Sequence, residues 1–268
     1  MKNIENLKIG FIGAGNMGGA ILKGIVESGT VAKSQIYVSE FSEVIKMKWD
    51  EYGVNIAVSN RKLAELCDVV FLAVKPQMMR QALADCAEEL SDKFVITIAA
   101  GMTADTIRGI SGSKRVLRIM PNVAAMVGCG ATLVCNDLGL DADEMNVAKT
   151  LLESIGTVTL VPEKLVDAGS AISGCGPAFV AMFIEALADG GVREGLPRQS
   201  AYELAAQTVM GTAKLYMDTD IIPAGIKDMV TSPGGTTIEG VYQLEKGGMR
   251  AAVMDAVHEA AEKNKKLA

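Results

Sequence analysis

Between residues 8 and 161, short runs of β-branched and other apolar residues alternate with stretches in which apolar positions recur at helical spacing. Strands that alternate with helices predict an α/β domain, with a mainly parallel sheet and helices on both faces. Ligands of such sheets bind at the carboxyl ends of the strands. The predicted strands are Lys8–Ile12, Gln35–Val38, Val54–Ala57, Val69–Val74, Phe94–Ile98, Arg115–Met120, Ala131–Cys135 and Thr157–Val161.

The strand pattern stops near Pro162, and the rest of the chain is rich in alanine and glycine at helical spacing. We therefore predict two domains, the α/β domain over residues 1–161 and an all-helical domain over residues 162–268. Within the second domain, Pro177–Gly190 is apolar almost all round. A helix of this kind has no face that suits solvent. We expect a partner subunit to cover it.

A glycine-rich turn follows the first predicted strand and opens a helical pattern. Gly13, Gly15 and Gly18 have the spacing GxGxxG. In this context the first glycine makes a tight turn, the second lets the backbone approach a pyrophosphate, and the third packs helix against strand. Free N–H groups at the helix start then bind the anion. The predicted dinucleotide-binding residues are Ile12, Gly13, Ala14, Gly15, Asn16, Met17 and Gly18.

Three further strand ends reach the same edge of the predicted sheet. They supply further candidate cofactor residues, which are Ser39, Glu40, Ala73, Val74, Lys75, Pro76, Ala99, Ala100 and Gly101. Lys75 either faces the cofactor or is a solvated cap, while Pro76 suits the first turn of the next helix.

Glu40 closes the second predicted strand, 27 residues after Gly13. A carboxylate there accepts hydrogen bonds from the adenosine ribose hydroxyls and repels a 2′-phosphate, which favours NADH over NADPH. The alternative is a solvated loop glutamate, with Ser39 and Ser42 around a phosphate.

A second glycine-rich segment, Ser232–Thr237, reads SPGGTT and is called the SPGGTT turn below. Ser232 is predicted to cap a helix with Pro233 near its first position. The glycines then leave N–H groups exposed at the positive end of the helix, which suits a carboxylate. The hydroxyls of Thr236 and Thr237 can each donate one hydrogen bond. The alternative is a helix cap without a ligand.

Composition excludes several classes of function. The formal charge is −6 and no basic cluster occurs, so nucleic-acid binding has no support. No export signal is evident, and no apolar run approaches the roughly 20 residues of a membrane span. The five cysteines contain no C-x-x-C pair, which indicates free thiols and a cytoplasmic protein. We expect no metal site.

The single histidine, His258, lies on the predicted last helix, away from every strand end. Dehydrogenases that act on alcohols usually need a histidine or lysine base. An imine avoids this need because a protonated C=N accepts hydride without forming an alkoxide. Orientation and a hydrogen bond at nitrogen are then sufficient.

These segments together resemble the pyrroline-5-carboxylate reductase family over essentially the whole length. The shared motifs are GFIGAGNMG at 10–18, AVKP at 73–76, AAGMT at 99–103, RIMPN at 118–122, DAGSAISGCGPAF at 167–179, DGGVREGLPR at 189–198 and SPGGTT at 232–237. The resemblance implies hydride transfer from NADPH or NADH to Δ1-pyrroline-5-carboxylate, giving L-proline. It also implies a Rossmann domain followed by a helical domain that interlocks with a second subunit, with dimers often assembling into decamers.

By motif matching, Thr237 occupies the position that hydrogen-bonds the substrate ring nitrogen and is the catalytic candidate. Ser232, Gly234, Gly235 and Thr236 lie in the turn that holds the substrate carboxylate. Asn60 matches a residue near the adenosine ribose, Val74 and Lys75 line the nicotinamide side, and Glu163 matches an acidic position near the substrate. Two positions depart from the family pattern: Cys175 replaces a serine and Gly169 replaces a valine.

Two alternatives remain. One is another enzyme, either a reductase of a different cyclic imino acid or a β-hydroxyacid dehydrogenase; the latter needs a lysine that Ser173–Glu185 lacks. The other is a non-catalytic dinucleotide sensor, which would not need the SPGGTT turn.

Overall fold

A computed structural model describes residues 4–266, and these contain an eight-stranded sheet in the order β3-β2-β1-β4-β5-β6-β7-β8. All eight predicted strands are confirmed, with ends shifted by a residue or two. The strands are β1 Ile9–Ile12, β2 Ile36–Ser39, β3 Asn55–Ile56, β4 Val69–Leu72, β5 Phe94–Thr97, β6 Val116–Met120, β7 Gly130–Cys135 and β8 Gly156–Val161.

The sheet is mainly parallel, as predicted. Strands β1 to β6 all run in one direction, β7 is antiparallel to β6, and β8 is parallel to β7. β1 pairs with β2 on one side and with β4 on the other, so the order of strands reverses direction there. A crevice at the carboxyl ends of strands is expected at such a reversal.

Thirteen helices are present in the described part of the chain. They are α1 Asn16–Glu27, α2 Glu43–Tyr52, α3 Asn60–Leu66, α4 Met79–Leu83, α5 Ala87–Leu90, α6 Ala104–Ser111, α7 Ala142–Glu153, α8 Val166–Ser173, α9 Gly176–Arg193, α10 Arg198–Asp218, α11 Pro223–Val230, α12 Thr236–Lys246 and α13 Met249–Lys265. Side-chain caps explain four of the starts. Ser42, Ser59, Thr103 and Asp141 each accept a hydrogen bond from a backbone N–H in the first turn of the following helix.

Alternate residues of the central strands serve two separate cores, one on each face of the sheet. In β4, Val69 and Phe71 belong to the core that α1 and α7 cover, whereas Val70 and Leu72 belong to the core that α3 to α6 cover. Successive strand residues point to opposite faces. Burial on both faces therefore requires the continuous apolar run that the sequence shows.

The described residues divide into two compact units. The first comprises the residues up to Gly174 together with those from Ala260 onward, and the second comprises Cys175–Glu259. The division therefore falls later than the predicted boundary after Val161. α8 packs against β7 so closely that a Cβ at Gly169 would lie 2.7 Å from Leu133 Cδ1. α8, which follows the last strand, therefore belongs to the first compact unit.

The stretch Glu163–Arg193 is long and apolar enough to cross a membrane when judged by length and composition alone. The expectation that no apolar run approaches the length of a membrane span was too strict. The charged residues Glu185 and Asp189 interrupt the run only in its last third and leave a long apolar part before them. The same composition suits a helix covered by another protein surface. Apolar side chains of α9 are exposed in the single chain, among them Met182 and Leu187.

Candidate active site

Gly13 makes the tight turn that ends β1. Its φ is +87°, and a Cβ there would lie 2.9 Å from the carbonyl oxygen of Ala73. Its N–H donates to the carbonyl of Ser39 at 2.9 Å, which ties the end of β1 to the end of β2. Both the backbone angle and the close approach of Ala73, which directly follows β4, therefore require glycine at this position.

Gly15 and Gly18 have opposite surroundings. A Cβ at Gly18 would lie 2.6 Å from the carbonyl oxygen of Gly13, so this glycine lets α1 pack on the strand end. A Cβ at Gly15 would meet no protein atom within 4 Å. Gly15 precedes the first residue of α1, and no side chain caps that helix. The turn thus presents an open backbone face and free N–H groups, which suits an anion.

Glu40 is joined to the glycine turn rather than free in solvent. Its Oε2 accepts from the backbone N–H of Ala14 at 2.9 Å. Its Oε1 accepts from the N–H groups of Phe41 and Ser42 at 2.8 and 3.2 Å. These three bonds fix the half-buried carboxylate between the end of β2 and the glycine turn, while Oε2 keeps capacity for a further hydrogen bond.

A cavity of about 470 Å³ begins at Glu40 and continues along the starts of α2 and α3. Asn60 lies in its wall, where its Oδ1 accepts from Ser39 Oγ at 2.7 Å and its Nδ2 donates to the Ala82 carbonyl at 2.7 Å. This amide therefore holds three elements together. The cavity is lined by Ser39, Glu40, Phe41, Lys46, Ala57, Val58, Ser59, Asn60, Arg61, Gln81, Ala82 and Asp85.

Sequence reasoning missed two cations in this cavity wall. Lys46 Nζ lies 2.6 Å from Glu43 Oε1, and Arg61 Nε lies 3.2 Å from Glu89 Oε1. The i,i+3 pair of Lys46 is a local signal that was available in the sequence. Both side chains are thus engaged with acids, and their charge lies in the same cavity as the Glu40 carboxylate.

The two other predicted strand ends follow β4 and β5. The N–H of Ala73 donates to the Ile12 carbonyl at 2.9 Å, and Lys75, which is exposed, precedes a 3-10 turn that begins at Pro76. After β5, Ala99 is buried and Gly101 has a φ of +70°. The structure therefore gathers the predicted cofactor residues at one edge of the sheet.

Glu163 lies in the first compact unit, within an ion-pair network. Its Oε1 accepts from the Ala104 N–H, at the start of α6, at 2.7 Å and lies 3.4 Å from Arg118 Nη1. Arg118 is buried, and its Nη2 lies 3.9 Å from Asp167 Oδ1. Its Nε has no hydrogen-bond partner among residues 4–266. A buried guanidinium depends on its acidic partners, so Glu163 stabilises both Arg118 and the start of α6.

The SPGGTT turn lies in the second compact unit and differs from the predicted cap. α12 begins at Thr236 with Gly235 as its N-cap residue, so the prediction that Ser232 caps the helix with Pro233 in its first turn is wrong. Gly234 has a φ of +66°, which turns the chain between Pro233 and the helix. No side chain caps α12, and its first N–H groups are therefore available to an anion.

Other polar groups offer little alternative chemistry. His258 is exposed, and no group of three or more metal-ligating side chains occurs in the part of the chain that the structure describes. Burial raises the pKa of the Cys67 and Cys135 thiols to about 12 and that of Cys86 to about 11. Those thiols are protonated at neutral pH and unsuited to nucleophilic catalysis.

Two protein-family models match the chain. The model described as pyrroline-5-carboxylate reductase dimerisation covers residues 163–267. The model described as NADP oxidoreductase, coenzyme F420-dependent, covers residues 8–101. The first accounts for the exposed apolar surface of the helical region, and the second covers the segment that carries the glycine turn.

Curated relatives match along nearly the full length. The pyrroline-5-carboxylate reductase of Methanosarcina acetivorans is 42% identical over 98% of this chain and 99% of its own. That of Escherichia coli is 41% identical over 97% and 98%. Among solved structures, a pyrroline-5-carboxylate reductase from Coxiella burnetii aligns with a TM-score of 0.93 at 33% identity, over 99% of both chains. A Plasmodium falciparum pyrroline carboxylate reductase with NADP bound aligns with a TM-score of 0.86, at 33% identity and over 99% of both chains.

Proposed function

The chain belongs to the pyrroline-5-carboxylate reductase family, and from that premise we propose which residues bind the cofactor, which bind the substrate and which position them. The activity is the NAD(P)H-dependent reduction of Δ1-pyrroline-5-carboxylate to L-proline, a step of proline biosynthesis. The helical region is a dimerisation domain. The roles of individual residues, the cofactor preference and the assembly beyond the dimer are proposals.

The glycine turn is the proposed dinucleotide site, and the openness of Gly15 is the observation that carries this assignment. A Cβ at that position would meet no protein atom, whereas glycine is required sterically at both Gly13 and Gly18. An open backbone at an uncapped helix start suits a pyrophosphate. When bound, NAD(P)H supplies the hydride. The strand-end residues Ala73–Pro76 and Ala99–Gly101 would flank its nicotinamide half.

For the adenosine half, we propose that NADH is used well and NADPH is also accepted. Glu40 supports NADH, because its fixed carboxylate can accept from a ribose hydroxyl and would repel a 2′-phosphate. Lys46 and Arg61 in the same cavity supply opposing positive charge. The NADP bound to the Plasmodium relative also supports acceptance of the phosphorylated cofactor.

The SPGGTT turn is the proposed substrate site. The free N–H groups at the start of α12 would hold the substrate carboxylate, with the open backbone at Gly234 leaving room for it. The hydroxyl of Thr237 would donate to the ring nitrogen as hydride reaches the neighbouring carbon. One such hydrogen bond is enough to orient an imine, so no histidine base is needed.

Glu163 has a supporting part in this proposal. Its carboxylate fixes the Ala104 N–H and neutralises Arg118, and α6 directly follows the Ala99–Gly101 strand end. The contacts therefore support a role in positioning that strand end.

The proposed assembly is a homodimer through the helical domain, with decamers as the larger form that the family resemblance suggests. The dimerisation model that matches residues 163–267 supports coverage of the exposed apolar side chains of α9 by a second subunit. We also propose a cytoplasmic location, which the five free thiols support. Light scattering in detergent-free buffer distinguishes a dimer from a decamer.

The test of function is an initial-rate assay with purified protein. Oxidation of NADH or NADPH should depend on added pyrroline-5-carboxylate, and comparison of kcat/KM for the two cofactors gives the preference. A six-membered cyclic imino acid in the same assay tests the alternative substrate class. Dinucleotide binding without turnover on either imino acid would instead support a sensor.

A further inference from the structure

The chain contains one tryptophan, Trp49, and its indole is anchored to the glycine turn. Trp49 lies on α2 and is 2% exposed. Its Nε1–H donates to the carbonyl oxygen of Ala14 at 2.9 Å in a buried hydrogen bond. Ala14, which is also 2% exposed, stands between Gly13 and Gly15. The indole therefore reaches the middle of the proposed pyrophosphate turn from outside it.

Ala14 is held by side chains on both of its polar backbone groups. Its N–H donates to Glu40 Oε2 at 2.9 Å, and its carbonyl accepts from Trp49. The first bond fixes the peptide plane before Ala14, and the second fixes the plane after it. The second plane supplies the N–H of Gly15, the residue at which a ligand can approach the backbone.

The indole itself is rigidly placed. A Cβ at Gly19 would lie 2.7 Å from its Cζ2, so α1 packs directly on the ring. Tyr52 packs edge-on with ring centroids 5.4 Å apart, and Lys48 Nζ lies 4.8 Å from the ring centroid. A donor fixed by packing on several sides can hold a peptide in one orientation at little entropic cost.

We propose that Trp49 is a positioning residue for the dinucleotide, acting through the Ala14–Gly15 peptide. By fixing that peptide, it keeps the backbone N–H groups at the start of α1 aimed at the pyrophosphate. This inference rests on the proposed role of the glycine turn. It assigns to α2 a part in cofactor binding that lies outside the turn itself.

The direct test is Trp49→Phe, which keeps an aromatic ring and removes the N–H donor. The KM and the equilibrium Kd for NADH and NADPH should both rise by about fivefold to tenfold, as expected for one hydrogen bond. At saturating cofactor, kcat and the KM for pyrroline-5-carboxylate should stay within about twofold. Tyr52→Phe is the matched control, because it removes a polar atom from the adjacent aromatic residue and leaves Ala14 untouched. A cofactor Kd equal to that of the unchanged enzyme would overturn the proposal.

A second replacement keeps the test decisive if Trp49→Phe does not fold. Because the chain has a single tryptophan, biosynthetic substitution by the benzothiophene analogue changes position 49 alone, preserving the bicyclic shape without the N–H. The same rise in cofactor Kd is expected, and an unchanged Kd contradicts the proposal. Gly15→Ala distinguishes failure of the proposed dinucleotide site from failure of the proposed role of Trp49. If Gly15→Ala leaves cofactor KM unchanged, the glycine turn is not the dinucleotide site; if only the Trp49 variants are silent, the turn stands and Trp49 has no part.

Discussion

Glu40 and Ala14 are joined by a hydrogen bond in which the backbone N–H of Ala14 donates to the Glu40 carboxylate at 2.9 Å. The two residues are 26 positions apart in sequence. The bond places a negative charge at the junction of the glycine turn and the cavity proposed for adenosine. In the proposed cofactor site, this fixed charge would repel a 2′-phosphate.

Glu40→Gln should shift cofactor preference toward NADPH. The amide keeps an acceptor oxygen but removes the negative charge, so we expect the NADPH-to-NADH ratio of kcat/KM to rise about tenfold, equivalent to ~1.4 kcal/mol of lost repulsion. Initial rates with both cofactors measure the ratio. Glu51→Gln makes the same charge change on α2, outside the residues that line the cavity, and should leave the ratio unaltered. A ratio that is equal in the two variants would remove Glu40 from cofactor discrimination.

Gly15→Ala and Gly18→Ala should fail in different ways. The added methyl at Gly15 meets no protein atom, so the protein should keep its melting temperature while the KM for NAD(P)H rises at least about tenfold. The methyl at Gly18 would lie 2.6 Å from the Gly13 carbonyl oxygen, so that variant should lose about 1–3 kcal/mol of stability. Calorimetry and kinetics on both proteins check the contrast. Equal destabilisation would mean that Gly15 is a structural glycine too.

Local pattern predicted the features that depend on neighbouring residues in sequence. The central strands are buried on both faces, so each is a continuous apolar run, and these runs predicted the strands. The GxGxxG spacing predicted the turn in which Gly13 has a positive φ. The contacts that hold the site together were not predictable in this way. Trp49 and Ala14 are 35 positions apart, and Arg118 and Glu163 are 45 apart, so neither pair leaves a periodic signal.

One error has a specific physical cause. The Ser-Pro pair suggested a helix start, but the positive φ of Gly234 interposes a turn and delays α12 to Thr236. The domain boundary after Val161 stays a prediction, and Gly169 allows α8, which follows that boundary, to pack closely on Leu133 of β7. The positive φ of Gly234 and the close approach at Gly169 are both features that composition alone does not reveal.

Thr237→Val should slow turnover without loss of fold. Valine keeps the β-branched shape and removes the hydroxyl, so kcat should fall by roughly tenfold if one hydrogen bond of ~1.5 kcal/mol serves the transition state. Thr236→Val is the comparison: Thr236 is the first residue of α12, and valine retains the backbone N–H that the proposed carboxylate site would use, so kcat should fall less. Steady-state kinetics at saturating NADH give both values. An unchanged kcat for Thr237→Val would remove this hydroxyl from the mechanism.

The stability of the fold should fall in alkaline solution in part through buried thiols. Burial raises the pKa of Cys67 from 9.0 to about 12, so between these values the folded state binds a proton that the unfolded state has lost. The contribution is fully present below pH 9 and is lost as pH rises toward 12. Cys67→Ala should flatten the decline in unfolding free energy by up to about 1.4 kcal/mol per pH unit. Cys129 is exposed, so Cys129→Ala should leave the decline in unfolding free energy with pH unchanged. Urea denaturation at several pH values measures this decline for both variants, and an identical decline in the two would contradict this account.

The Arg118–Glu163 pair should matter more for stability than for substrate affinity. Glu163→Ala leaves a buried guanidinium whose other acidic partner, Asp167, is 3.9 Å away, so a loss of about 3 kcal/mol is expected. Glu163→Gln should lose less, because its amide oxygen can still accept from the Ala104 N–H. Urea denaturation compares the two variants. The KM of Glu163→Gln for pyrroline-5-carboxylate should stay within about twofold of the unchanged enzyme. A large rise in that KM at unchanged stability would instead support the place near the substrate that motif matching implies for Glu163.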